Sequence, residues 1–333
     1  MKRILFVKLG ALGGVLRATS LFRGLKDKYP ESILYVLTRK ISSDLLENNP
    51  DINEIFFWEE NKENLKGMHF DWVINTEDDY ETCDFVTHLN RVQLTGPYLN
   101  EKNEIKYTED SALFYDMGKI SNHGLEKANE LKKKNQRSYQ NIYSEILGLK
   151  RNNYPIILNL NDEQLELAKN FKQRHAGTKT ILIGINTGAG TNWPLKSISI
   201  EKTKQLIENL QSENNLKPIL LGGHNERERN TEIIKKLKTG VIATSTENTL
   251  KEYISLISAL DVIVTSDTLA LHIAAGLNKR IVSFFGPTSA EEIELYGRGD
   301  KIKPSSDCYC CYRKERNKEK MCIDEISVEE LVR

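Results

Sequence analysis

The sequence predicts an α/β protein built from two doubly wound domains, each a parallel sheet covered by helices on both faces. Three observations carry this. Short apolar runs alternate with amphipathic stretches along most of the chain, the pattern of buried parallel strands and crossover helices. The 333 residues exceed a typical single domain. Glycine-rich or polar loops follow successive apolar runs, at the edge where ligands enter open α/β sheets.

In the first half, Arg3 to Lys8 reads as a strand, followed by Leu-Gly-Ala-Leu-Gly-Gly and a helix from Val15 to Lys28. Gly10, Gly13 and Gly14 let the backbone pass close to whatever lies above the sheet. Their spacing is not GxGxxG, so a dinucleotide fingerprint is unsupported. Ser32 to Leu37, Asn53 to Phe57 and Asp71 to Asn75 continue as strands, with a short helix at Ser43 to Glu47. The last of these strands runs into the acidic run Glu77, Asp78, Asp79, readable as solvated surface or as a carboxylate facing a cleft. Residues 96–155 read as irregular, with a turn at Gly96-Pro97 and a helix from Ser138 to Leu147.

A boundary is expected between Leu160 and Thr178, giving domains at 1–165 and 166–333. A second βα series follows: Thr180 to Asn186, Pro218 to Leu221, Val241 to Thr244, Asp261 to Val264 and Arg280 to Phe285 as strands. Helices are expected over Ile200 to Leu210, up to Leu237, over Leu250 to Ala259 and over Thr268 to Gly276. Two such domains with loops at matching strand ends imply a cleft between them.

Composition excludes several classes. Formal net charge is zero, with 47 basic and 47 acidic residues, so nothing marks a nucleic-acid or polybasic membrane surface. No window is long and apolar enough to span a bilayer. Of five cysteines, Cys83 stands alone and Cys308, Cys310, Cys311 and Cys322 cluster.

The candidate site residues lie mainly in the second half. The loop Thr187-Gly188-Ala189-Gly190 can cradle phosphate through N–H groups and a hydroxyl, though such loops also serve as plain turns. Glu226 follows Gly222-Gly223, as a first-turn carboxylate or a ribose partner. Asp267 is placed to cap the next helix, whose N–H groups favour an anion. Thr268 and His272 are four residues apart and share a helix face.

The ordered set Ser266-Asp267-Thr268-Leu269-Ala270-Leu271-His272-Ile273-Ala274-Ala275, then Phe285-Gly286-Pro287-Thr288, resembles glycosyltransferase family 9, the lipopolysaccharide heptosyltransferases. KLGALGGVLRATSLFRGLKDKYP, NTGAGTNWP and GGHNERERN support it. The resemblance implies a GT-B architecture, two Rossmann-like domains facing a cleft, with an acceptor-side first domain and a nucleotide-sugar-binding second. It implies ADP-heptose or a related nucleotide sugar as donor, a glycan or protein hydroxyl as acceptor, and no catalytic metal. It also implies a cytoplasmic protein, at the inner membrane face if the acceptor is membrane-borne, with a homo-oligomer left open. On it, Asp267, Thr268 and His272 lie by the diphosphate and sugar, Thr187 contacts phosphate and Glu226 approaches the ribose.

Two departures stand out. The family's lysine before x-Trp-Pro is replaced by Thr191-Asn192-Trp193-Pro194, leaving Lys196 or Lys8 to supply the charge. The aspartate after Leu-Gly in the first loop, a base for the acceptor hydroxyl, is here Gly14. Asp78 or Asp79 is the expected substitute; the alternative is a noncatalytic nucleotide-sugar or glycan-binding protein. A regulatory or assembly protein held by its cysteines is a third class. The spacing C-x-C-C-x10-C leads to the expectation that Cys308, Cys310, Cys311 and Cys322 bind one structural metal, zinc or, by resemblance to cysteine-containing protein heptosyltransferases, iron. Arg313, Lys314 and Arg316 would offset its charge; a disulfide and two free thiols is the competing reading.

Overall fold

The computed structural model describes every residue except Thr178, Asn192, Arg316, Asn317 and Lys318. The chain divides into two compact units, Met1–Asn159 and Leu160–Arg333. Among the described residues no helix is long and apolar enough to cross a membrane.

The first unit opens with β1 (Arg3–Val7), α1 (Leu12–Lys28), β2 (Ile33–Thr38), α2 (Ser43–Leu46), β3 (Glu54–Phe57) and β4 (His69–Asn75). It continues with α3 (Tyr80–Thr87), β5 (Asn90–Thr95), β6 (Pro97–Leu99), β7 (Ile105–Tyr107), α4 (Ala112–Tyr115), α5 (Gly124–Lys134) and α6 (Tyr139–Ile146). A five-stranded parallel sheet runs β3-β2-β1-β4-β5. Side chains alternate across a strand, and β1 shows why both faces are apolar. Ile4 and Phe6 join Phe22, Leu25, Trp72 and Tyr143 on one face. Leu5 and Val7 join Phe70, Val73 and Phe85 on the other.

The second unit comprises α7 (Asp162–His175), β8 (Ile181–Asn186), α8 (Ile200–Gln211), β9 (Leu216–Leu221), α9 (Arg227–Lys236), β10 (Ile242–Ala243) and α10 (Leu250–Ala259). It ends with β11 (Val262–Ser266), α11 (Leu269–Gly276), β12 (Arg280–Phe284), β13 (Gly299–Ile302) and α12 (Val328–Val332). Its six strands run β10-β9-β8-β11-β12-β13, all parallel. One face buries Ile183, Ile185, Leu220 and Val264 under Leu206, Ile233, Met321 and Leu331. On the other face α11 packs against β11 and β12, and α10 against α7 and α11. Gly184 permits the closest approach there, since a Cβ would lie 2.5 Å from Leu260 Cδ1.

Several elements depart from the sequence expectation. Besides the expected helix, seen as α6, the region expected to be irregular holds the antiparallel pair β6–β7 and the helices α4 and α5. β5 lies just before it on the sheet edge, where Asn90, Arg91 and Gln93 dilute the apolar signal: only Thr95 of its six residues is buried. β13 is likewise an edge strand with three exposed residues. α1 starts at Leu12 rather than Val15, taking both Gly13 and Gly14 into its first turn.

Candidate functional site

In the second unit the site grows from Asn186, the last residue of β8. Its Nδ2 donates to the Gly188 carbonyl at 2.9 Å and to Thr265 Oγ1 and Thr268 Oγ1, both at 3.2 Å. Its Oδ1 accepts from Tyr253 Oη at 3.1 Å. Burial raises the Tyr253 phenol above its ordinary range, which keeps it a donor. One buried amide therefore ties the loop after β8 to the loop after β11 and to α10.

The glycine loop is closed from the β9 side. Glu226 Oε1 accepts from the Gly190 amide at 3.2 Å and Oε2 from the Gly223 amide at 2.9 Å. Only glycine fits at 188, where a Cβ would lie 2.3 Å from Glu226. Thr187 Oγ1 donates to Asn230 Oδ1 at 2.6 Å, and Asn230 Nδ2 to the Leu221 carbonyl at 3.1 Å.

Asp267 does not cap α11 as expected. Thr268 takes the N-cap position with no side-chain cap bond, its hydroxyl engaged by Asn186 and Thr265. Asp267 is drawn instead to Lys196, whose Nζ donates to Oδ2 at 2.7 Å and to the Asp267 carbonyl at 2.9 Å. His272, buried on α11, brings Nε2 to 3.8 Å from Asp267 Oδ1. Lys196 Nζ also sits 5.0 Å from the Trp193 ring centroid. Thr187, Gly188, Lys196, Glu226, Asp267, Thr268 and His272 thus lie on the loops and first turns that follow β8, β9 and β11, at one edge of one sheet.

The first unit has its own constellation, at the carboxyl ends of its own β1 and β4. Thr76 ties β4 to β1 by donating to the Val7 carbonyl at 2.9 Å. Asn75, the last residue of β4, accepts from the Glu77 amide at 3.0 Å and donates to the Glu77 carbonyl at 3.0 Å and the Pro97 carbonyl at 2.8 Å. So fixed, Glu77 reaches the glycine loop: Oε1 accepts from Lys8 Nζ at 2.6 Å and from the Leu9 and Gly10 amides at 2.9 Å. Asp79, named as a candidate base, has other partners here. It is the N-cap of α3, its two oxygens accepting from the Thr82 amide at 3.0 Å and the Thr82 hydroxyl at 2.8 Å. Asp78 is exposed beside it. Lys8 is paired with Glu77.

A family model described as "Glycosyltransferase family 9 (heptosyltransferase)" matches residues 61–323. The chain belongs to glycosyltransferase family 9. Lipopolysaccharide heptosyltransferase 2 of Escherichia coli is 31% identical over 112 residues, a stretch covering 32% of this chain and 30% of that protein's length. A family 9 glycosyltransferase from Veillonella parvula superposes with a TM-score of 0.76 at 18% identity, over 99% of this chain and 95% of that one. The E. coli ADP-heptose lipopolysaccharide heptosyltransferase II superposes with a TM-score of 0.67 at 18% identity, over 100% and 96%. These likenesses establish the GT-B fold of the glycosyltransferases.

The cysteine segment, expected to bind one structural metal, has this arrangement. Cys308, Cys311 and Cys322 share thiol hydrogen bonds; the one with Cys322 lowers Cys311 to about 5 and raises Cys322. No disulfide forms. Among the described residues no group of three or more histidine, cysteine or acidic side chains is arranged to hold a metal ion. Cys310 has a left-handed backbone (φ 58°) and its amide donates to the Gly286 carbonyl at 3.0 Å. The segment is fastened by other means. The Tyr312 amide donates to the Pro287 carbonyl at 2.7 Å, Tyr309 Oη to Glu291 Oε2 at 2.7 Å, and Tyr312 Oη to Glu292 Oε1 at 2.9 Å. Arg313 is exposed, Lys314 Nζ sits 5.4 Å from the Trp193 ring centroid, and Arg316 lies outside the described residues.

Sequence reasoning passed over Asn75, Asn186, Asn230 and Tyr253. The available signal was an asparagine ending each of two strands after an apolar run, because a buried amide needs several partners.

Proposed function

We propose that the protein transfers a sugar from a nucleoside diphosphate sugar to a hydroxyl on a glycan or protein, with ADP-heptose the donor that its relatives' names favour. The observation that carries this reading is the Lys196–Asp267–Thr268–His272 group beside the glycine loop closed by Glu226. Such a group meets the needs of a diphosphate leaving group: backbone N–H donors, a hydroxyl, a cation and an imidazole, with the charge that develops on oxygen stabilised by fixed donors. Glu226 is the ribose partner in this reading, and Thr187 with Gly188 the phosphate loop. His272 donates to a phosphate or sugar oxygen.

The test is to incubate the purified protein with a panel of ADP-sugars and with oligosaccharide and peptide acceptors, then follow diphosphate release and product mass. The expected result is transfer from one ADP-sugar. Absence of both transfer and donor binding across the panel would end the proposal. A second reading, nucleotide-sugar binding without turnover, is favoured by Gly14, which has no side chain where the family resemblance expects a base. Tight donor binding with no product on any acceptor would select it.

A further inference from the structure

We infer that Glu77 is the group that takes the proton from the acceptor hydroxyl, with Lys8 as its positioning partner. This rests on the transfer reaction just proposed. Among the described residues of the first unit, Glu77 is the carboxylate that reaches the glycine loop after β1, and its side chain is only 12% exposed.

Its two oxygens have different surroundings. Oε1 is saturated by Lys8 Nζ and the Leu9 and Gly10 amides. Oε2 receives no hydrogen bond among the described residues. A Cβ built on Gly10 would stand 3.1 Å from Oε2, so glycine there leaves that oxygen uncovered. Three donors fix the carboxylate's plane, and the free oxygen is a single directed acceptor.

Charge says what it accepts from. Lys8 and Glu77 cancel at 2.6 Å, so the pair has little pull on a free cation or anion. A neutral hydroxyl is the ligand that suits it. The competing carboxylates have other work: Asp79 spends both oxygens on Thr82, and Asp78 is exposed. In the step itself, the acceptor O–H proton passes to Glu77 Oε2 as the acceptor oxygen bonds to the anomeric carbon. The bond from that carbon to the diphosphate oxygen breaks, and its electron pair leaves with the diphosphate.

The experiment uses the full chain, ADP-heptose, and two acceptor probes: a lipopolysaccharide-core oligosaccharide and a pool of serine- and threonine-containing peptides. Glu77→Gln keeps the size and the Oε1 contacts, and should lower kcat at least about 100-fold with donor Kd nearly unchanged. It should also abolish the acid-side fall of the kcat–pH profile. Glu77→Ala should regain part of its turnover in added formate, which a merely structural role would not give. Parent-like kcat in Glu77→Gln, an acid limb that persists, or no response to formate would overturn the inference. Loss of folding in both variants would assign Glu77 to the scaffold and overturn it too. A parent protein that neither binds nor turns over the donor would instead remove the transfer reading itself.

Discussion

The candidate site rests on a few side chains whose neighbours leave room for them. Gly188 has no Cβ because Glu226 fills that space, and Asn186 spends four contacts holding two loops at one register. His272 is the clearest test at this scale. Replacing it by alanine should reduce turnover about 100-fold, as loss of a fixed donor to developing oxyanion charge does, while donor Kd moves much less. Steady-state kinetics with a binding isotherm checks both, and unchanged kinetics would strike it from the site. Asn186→Ala should act through geometry instead, weakening donor binding and lowering the melting temperature together, because it leaves buried partners unmatched. The residues named from sequence were mostly those carrying charge, sitting in glycine loops, opening the helix after β11, or clustering as cysteines. The asparagines behind them escaped notice because an amide at the end of an apolar run has no periodic signature, and its importance appears only when its partners, up to 82 positions away, are in place.

Elements were legible where burial was two-sided. β1, β4, β8 and β11 read as strands from their apolar runs alone, because helices cover both faces. The edge strands β5 and β13 did not, since half or more of their residues are exposed and break the apolar run, whereas the edge strands β3 and β10 were still read from sequence. Helix ends were misjudged where two polar residues competed, as at Asp267 and Thr268. Asp79→Ala tests the assignment of that residue to a cap. Its loss should cost about 1 kcal/mol in equilibrium denaturation, whereas Asp79→Ser, still a capping residue, should cost only a few tenths. Equal losses in the two would contradict the cap. A second element-scale link is Asp261, which joins three segments: Oδ1 accepts from Lys172 of α7 at 2.6 Å and Oδ2 from the Leu182 amide of β8 at 2.9 Å. Burial alone would raise its pKa, but these two bonds together with the positive charges of Lys172 and Lys279 outweigh it and the net shift is downward. A depressed carboxylate contributes stability that is present above its unfolded pKa and lost as pH falls through the folded one. Asp261→Asn should therefore destabilise by about 1–2 kcal/mol near neutral pH and make little difference well below the ordinary aspartate range. Denaturant titrations of both proteins at the two pH values decide it; a pH-independent difference would mean the charge plays no part.

At the scale of the molecule, each unit owns its core: Phe6, Phe22 and Trp72 with their neighbours in the first, Ile185, Leu206 and Val264 with theirs in the second. Separate cores seldom melt as one. Calorimetry should give a van't Hoff enthalpy clearly below the calorimetric one, and a saturating ADP-sugar should shift the second unit's transition upward; a single two-state transition would argue against independent cores. Strand order has a further consequence, for how the protein is made. In the first unit every strand of the five-stranded sheet has emerged by Thr95 and the last core helix ends at Ile146. In the second, β8 is central yet arrives first, and its neighbour β11 follows only after β9, β10 and α10. Synthesis at about 5–20 residues per second gives the first unit a head start of roughly 10–35 s over completion of the 174 residues from Leu160 to Arg333. On a stalled ribosome, nascent chains with β12 still in the exit tunnel should already protect Met1–Asn159 from protease while leaving everything after α7 open to it.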